Sequence, residues 1–410
     1  MGPLMQRDLR TGTSIWEGRR GRALSTSALR RSRRVDVLVI GAGISGALVA
    51  ENLSAAGLDV VVVDRRGPAQ GSTTASTALL QYELDTPLTT LSRRIGRERA
   101  ERIWRRSRLA VDALHDRARM LDIDADLHRR ETLYLEGTTL DARSLRREAE
   151  ARRRAGFEAE YLSRSEVHER YGIARRAAIH SFGGLIADPR RLALGMLARA
   201  MERGTQLVVP VTVTELDSTR RGVMARTADG PTIRARLVVL ATGYELMKGV
   251  PSRGHSAIST WAMTTRPQPG QLWPTECLIW EASDPYLYLR VGPRGEVICG
   301  GEDEDFDDEA RRDALLPDKT RTLERKLKKL FPKLDSRAEY AWTGTFGTST
   351  TGSPTIGPLP RMPGCFAVLG YGGNGITFSM MAAQMLCSMI TGVGDCDADL
   401  VSFTRQFGFK

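Results

Sequence analysis

Residues 35–64 read VDVLVIGAGISGALVAENLSAAGLDVVVVD, and the fold follows from them. Val35–Ile40 is an apolar, β-branched run closed by glycine, as suits a strand buried on both faces. Gly41, Gly43 and Gly46 then supply a G-x-G-x-x-G spacing. The first glycine permits a tight turn, the second a close approach of backbone to a pyrophosphate, and the third the packing of helix on strand. Apolar residues recur at helical spacing from Ile44 to Ala56, and Gly57 ends that helix. Its free N–H groups favour an anion in the turn. A second strand, Asp59–Val63, delivers Asp64, 18 residues after the last glycine, where an acid can accept hydrogen bonds from ribose hydroxyls. Strand, glycine turn, helix and acid together predict a dinucleotide site.

At 410 residues the chain exceeds the usual single-domain size, so two lobes are expected. Its five cysteines and five histidines are scattered, with no C-x-x-C pair and no histidines at i, i+4. That pattern predicts reduced thiols in a cytoplasmic protein and no metal site. The formal charge of +11 is uneven, because residues 1–34 hold nine arginines against Asp8 and Glu17, a balance of +7. The other 376 residues carry only +4 and show no basic stripe interleaved with aromatics, which argues against nucleic-acid binding. Arg33–Arg34 precede the first strand rather than a cleavable apolar segment, and Ile376–Val393 contains Gln384 with several Ser and Thr residues. No membrane span is therefore expected.

Further along, Gly71–Thr77 (GSTTAST) offers hydroxyls and N–H groups just past the second strand. Residues 87–121 are helical in pattern, and a helix from Asp141 to Ala155 is followed by Ser163–Glu166, which reads as a capping box. Gly183–Pro189 reads as a turn-rich link into a helix ending at Arg203. Strands are expected at Gln206–Val213, Gly222–Thr227 and Thr232–Ala241, the last ending in Ala241-Thr-Gly243. Residues 255–305 alternate and are rich in Trp and Tyr, which predicts an antiparallel sheet in a second lobe. The strand Phe366–Gly370 then leads through Tyr371-Gly-Gly-Asn-Gly-Ile-Thr377 into a final helix.

The glycine fingerprint, the Ala241-Thr-Gly243 strand end, Ser353-Pro-Thr-Ile-Gly-Pro358 and the Gly372-Gly-Asn-Gly375 turn resemble the D-amino-acid oxidase and glycine oxidase family of FAD enzymes over about residues 35–395. The resemblance implies an α/β fold: a Rossmann-like FAD-binding domain of glutathione-reductase type with an inserted α+β, mostly antiparallel substrate domain. The FAD domain is expected from 35–90, 166–250 and 341–410, the substrate domain from 91–165 and 251–340, and a basic flexible arm from 1–34. Gly41, Gly43, Ile44, Ser45 and Gly46 would hold the pyrophosphate, and Asp64 and Arg65 the adenosine side. Ser72, Thr73 and Thr74 would lie near the phosphates and ribityl chain, with Val213, Thr242 and Gly243 alongside. Gly373, Asn374, Gly375, Ile376 and Thr377 would sit at the pyrimidine end of the flavin. No histidine lies in 35–52 or 71–82 and no cysteine in 286–290, so FAD is expected to be non-covalent.

The chain departs from that pattern at one position. Amino-acid oxidases of the family clamp the substrate carboxylate with an arginine in Gly-x-Arg-Pro. The corresponding stretch here is Gly344-Thr-Phe-Gly347, with Phe346 where the arginine would be. Two readings follow: Arg290 supplies a replacement clamp, or the substrate is an amine without a carboxylate on the reacting carbon. Arg290, Tyr288, Phe346 and Tyr371 are the candidate catalytic residues, with Tyr286 and Trp261 as further pocket walls. The expected activity is oxidation of a C–N bond of an amine or amino-acid derivative to an imine by hydride transfer to flavin N5, with oxygen or a carrier as electron acceptor. The alternatives are an FAD oxidoreductase acting on a modified tRNA side chain, whose support is the basic arm, and a non-catalytic flavoprotein subunit.

Overall fold

A computed structural model describes residues 6–19, 21–350 and 352–404. The Arg33–Ile40 strand forms the centre of one sheet. It pairs in parallel with Val60–Val63 on one side and Thr232–Leu240 on the other. Gln206–Val208 extends the sheet beyond Val60–Val63, and Cys365–Leu369 and Thr355–Pro358 extend it beyond Thr232–Leu240. Buried on both faces, the first strand sends Val37 and Val39 into one core and Leu38 and Ile40 into the other. That two-sided burial is why its sequence is continuously apolar rather than alternating. The Ile44–Ala55 helix makes the crossover and packs against the Pro189–Glu202 and Gly375–Ile390 helices.

The second sheet has nine strands among the described residues and is antiparallel except where His128–Leu135 runs beside Leu278–Glu281. The long strands His255–Thr265 and Ala338–Ser349 pair along its edge, and the Leu316–Leu330 helix lies on it. The FAD-domain type and the antiparallel insertion are as the sequence predicts. The divisions fall elsewhere. Leu79–Leu80 and Ala178–Ile186 both belong to the second sheet, so the boundaries expected at 90/91 and 165/166 cut across it. The Arg97–Met120 helix, expected in the substrate domain, packs on both the Gly375–Ile390 helix of the first domain and the Ala178–Ile186 strand of the second sheet.

Local chemistry explains the other differences. Gly96, at φ 89°, divides the helical stretch into Leu88–Ile95 and Arg97–Met120. Pro210, which has no N–H to give a ladder, follows the end of Gln206–Val208, and the next strand is Val213–Thr219. Gly183 lies within a strand, not a turn, and the space its Cβ would fill is taken by the Arg108 guanidinium, 2.4 Å away. Ser163 and Glu166 do form a capping box for Arg164–Tyr171.

The basic segment expected to be flexible is seated along both domains where it is described. Thr343 and Thr345 donate backbone N–H groups to Thr11 and Leu9 carbonyls at 2.8 and 3.0 Å, and Val209 donates to Ser27 at 3.0 Å. Leu9, Ile15 and Trp16 are buried, and Trp16 Nε1 donates to the Ser76 carbonyl at 2.7 Å. These three apolar residues anchor a segment whose composition suggests only charge. Its arginines meet acids: Arg7 pairs with Asp307, Arg19 with Asp126 and Asp188, and Arg22 with Glu202. Among the described residues, no helix is long and apolar enough to cross a membrane.

Candidate active site

A cleft enclosing about 1680 Å³ of non-atom space, mouth included, runs from the first glycine turn to the aromatic face of the second sheet. The glycine turn divides its work as its spacing predicts. A Cβ on Gly41 would lie 2.2 Å from the Ala241 carbonyl oxygen, and one on Gly46 would lie 1.8 Å from that of Gly41. Both glycines are therefore demanded by backbone packing. Gly43 faces the cleft, where a Cβ would meet only Thr73 Oγ1 at 3.1 Å. The helix behind it has neither a side-chain cap nor an acid in its first turn, which suits an anion.

Asp64 lines the cleft and is fixed from below. Its Oδ2 accepts the Ala42 N–H at 2.8 Å, and Oδ1 accepts those of Arg66 and Gly67 at 2.7 and 3.0 Å. Arg65 also lines the cleft, but its guanidinium is held by Glu245 and the Arg7 carbonyl. Burial pushes the Glu245 carboxyl up, and the Arg66 hydrogen bonds and Arg7 N–H outweigh it, leaving the group below its usual range.

Thr73 lines the cleft and accepts the Ile44 N–H at 3.0 Å, while Ser72 Oγ is buried without a partner. Ser45, Thr242 and Gly243 also line it, although the Ser45 hydroxyl is turned to Ser379, 2.7 Å away. Three expected cofactor residues lie off the cleft: Gly46, packed against the Gly41 backbone, Thr74 and Val213. Thr74 donates its hydroxyl to the Gly71 carbonyl, and Val213 is buried in the core with Leu216 and Ala225. Val211 takes the place of Val213, its N–H held by the Asp64 carbonyl at 2.8 Å.

At the other end, Gly373, Asn374, Gly375, Ile376 and Thr377 line the cleft where the final helix begins. The segment 81–85, which carries no sequence motif, is laced to them. Asn374 Nδ2 donates to the Gln81 and Glu83 carbonyls at 3.0 and 2.9 Å, Thr377 Oγ1 to Gln81 at 3.0 Å, and the Gly373 N–H to Asp85 Oδ2 at 2.8 Å. The walls beyond are Tyr286, Tyr288, Phe346 and Tyr371, together with Trp280 and Tyr244. Trp280 stacks on Tyr134 at 5.0 Å, and Tyr244 meets Tyr371 edge-on at 5.9 Å. Burial pushes the Tyr371 hydroxyl up to about 12 and raises those of Tyr286 and Tyr288 further, so all three stay protonated at neutral pH.

Two expected substrate residues are structural instead. Arg290 is 1% exposed, with Nε donating to the Thr77 carbonyl at 2.7 Å, Nη2 to Ala187 at 2.9 Å, and its guanidinium over the Trp16 ring. Its donors are directed into backbone behind the cleft, so it cannot clamp a substrate carboxylate there. Trp261 is fully buried on the opposite face and donates Nε1 to the Arg312 carbonyl at 3.1 Å.

Comparison with known proteins bears on what fills this cleft. The family described as "FAD dependent oxidoreductase" matches residues 36–389. The chain is 24% identical over 383 residues to gamma-glutamylputrescine oxidoreductase of Escherichia coli (strain K12), covering 89% of this chain and 85% of that protein. It is 26% identical over 423 residues to the tRNA 5-methylaminomethyl-2-thiouridine biosynthesis bifunctional protein MnmC of Ralstonia nicotianae, of which it spans 60%. Among solved structures, glycine oxidase from Geobacillus kaustophilus aligns with a TM-score of 0.73 at 20% identity, covering 88% of this chain and 96% of that one. L-proline dehydrogenase from P. horikoshii aligns with a TM-score of 0.76 at 18% identity, covering 92% and 99%. At such identities the structural likeness is one of fold. The cleft fits FAD on its own chemistry. It offers a glycine cradle, two uncapped helix starts free of acids, an acid at the ribose position and an unpartnered buried Ser72 hydroxyl.

Proposed function

Because the chain belongs to the FAD dependent oxidoreductase family and is an FAD enzyme of the amino-acid oxidase type, we propose that it oxidises a C–N bond of an amine that has no carboxylate on the reacting carbon. FAD, when bound, supplies a two-electron acceptor. The substrate C–H gives up a hydride, the nitrogen lone pair closes to an imine, and water hydrolyses the imine to a carbonyl compound and the released amine.

The observation that carries this reading is Phe346 at the wall of the cleft, in the place of the family's carboxylate-binding arginine. A carboxylate beside a phenyl ring would lose hydration without gaining a hydrogen bond. The alternative clamp, Arg290, is engaged elsewhere, and Arg65 and Arg66 are both held by Glu245. Tyr286, Tyr288 and Trp280 form an apolar enclosure that orients the C–H and excludes water.

The test is an anaerobic titration of the purified holoprotein with amines and with D- and L-amino acids, followed by flavin absorbance. Bleaching by amines but not amino acids is the expected result. Bleaching confined to amino acids would overturn the proposal. The second reading, an amine side chain on a modified tRNA nucleotide, is supported by the likeness to MnmC. Its sequence support weakens where arm arginines are paired to acids of the chain's own body.

A further inference from the structure

The charged side chains that line the cleft among the described residues are unevenly distributed. Asp64, Arg65, Arg66 and Glu245 gather at the nucleotide end, where Glu245 binds both arginines. Asp85 stands apart, at the end bounded by Gly373, Trp280 and Tyr286. Its side chain projects into the open cleft, receives one N–H from Gly373, and has no ion-pair partner among the described residues.

A second carboxylate lies just behind the wall. Asp303 faces the hydroxyls of Tyr286 and Thr260, both of which line the cleft. Its Oδ1 is buried without a hydrogen-bond partner, and it too has no cation beside it among the described residues. Asp85 is near enough for its charge to disfavour ionisation of Asp303. Each acid disfavours ionisation of the other and neither has a counterion among the described residues, so a cation bound between them would favour the carboxylate form of both. A third acceptor is oriented here as well, since Gln81 lines the cleft, is 7% exposed and has a buried Oε1 without a partner.

We infer that the substrate carries a second positive charge, distal to the reacting C–N bond, and that Asp85 and the aromatic walls receive it while Asp303 acts on it through space from behind the wall; the substrate class is a diamine or longer polyamine. An alkylammonium has three N–H donors to offer acceptors that line the cleft, Asp85 and Gln81, and no acceptor of its own. Trp280, Tyr286 and Tyr288 line the cleft, and aromatic rings attract a cation most when it is desolvated. A substrate with a distal carboxylate would meet repulsion at the same place. The inference rests on the proposed amine oxidation and narrows its substrate.

The experiment compares three four-carbon amines under anaerobic conditions: 1,4-diaminobutane, n-butylamine and 4-aminobutanoate. The expected half-saturating concentration for flavin bleaching is at least about tenfold lower for diaminobutane than for butylamine, with aminobutanoate the poorest. In D85N the asparagine keeps an oxygen for the Gly373 N–H while the charge is gone, and D303N removes the second charge. Each variant should bring the diaminobutane-to-butylamine ratio to within about threefold of unity. If D85N loses its flavin, D303N decides, because Asp303 does not itself line the cleft. Equal response to diaminobutane and butylamine, or preference for aminobutanoate, would overturn the inference and leave amine oxidation standing. Bleaching by amino acids alone would overturn both.

Discussion

Asp85 and Gly373, 288 positions apart, meet at 2.8 Å through the carboxylate Oδ2 and the backbone N–H. The contact joins the start of the second sheet to the turn that opens the final helix, so Asp85 has two separable roles. Asp85→Ala removes both the charge and the acceptor. It is expected to raise the FAD dissociation constant about tenfold, whereas Asp85→Asn should stay within about threefold of the parent. Flavin fluorescence on titrating apoprotein measures both.

Gly46 is a steric requirement. A methyl group there would sit 1.8 Å from the Gly41 oxygen and 2.8 Å from its carbonyl carbon, and that backbone cannot rotate away as a side chain could. Gly46→Ala should destabilise the protein by about 3 kcal/mol or more and abolish flavin retention. Gly270→Ala, where a Cβ meets nothing within 4 Å and φ is not left-handed, should change neither by more than about 0.5 kcal/mol. Urea unfolding with parallel flavin quantification distinguishes them.

Arg290 should behave as a structural residue. Arg290→Met leaves the Thr77 and Ala187 carbonyls without its N–H donors in a buried setting, at a cost of about 2–4 kcal/mol in urea unfolding. Its KM for amine substrates should stay within about threefold of the parent. A large KM rise with unchanged stability would return Arg290 to the substrate site.

Acid titration gives a further test. Burial, with Asp85 and Glu302 adding like charge, pushes Asp303 up to about 7, against the hydroxyls of Thr260 and Tyr286 that favour its ionised form. The folded chain therefore holds a proton that the unfolded chain releases at lower pH. Stability from this group is complete below the ordinary carboxylate range and is lost as pH rises through about 7. Asp303→Asn should consequently gain stability relative to the parent between pH 5 and pH 8, read as the difference in urea midpoint. A constant difference across that window would show that Asp303 is already ionised at pH 5.

The legible parts of the molecule were those whose chemistry is local. Gly41, Gly43, Gly46 and Asp64 lie within 24 residues, and each carries its reason in its immediate neighbours. The second sheet was legible as strands but not as partners, because alternation near Ala178–Ile186 does not say that its neighbours are His128–Leu135 and Leu79–Leu80. Asp85 carries no motif, and its importance comes from a turn near the other end of the described chain. Arg290 misled for a related reason. It follows Tyr288 at the two-residue spacing of one sheet face, but that face passes behind Thr77 before reaching it. Val213 was displaced from the cleft by the interruption at Pro210, which leaves Val211 facing it.

The seated N-terminal segment has a consequence for the order of assembly. Thr11 bonds to Thr343, 332 positions later, and Leu9, beside it on the same strand edge, closes part of the cleft wall. Contacts so distant along the chain form only after loop closure over nearly the whole molecule. The Ala338–Ser349 strand must already be in its sheet before the segment has anything to pair with. Docking of the segment is therefore expected to come late in folding and to slow flavin loss. Removing residues 6–19 should speed release, read as the rise of flavin fluorescence on dilution.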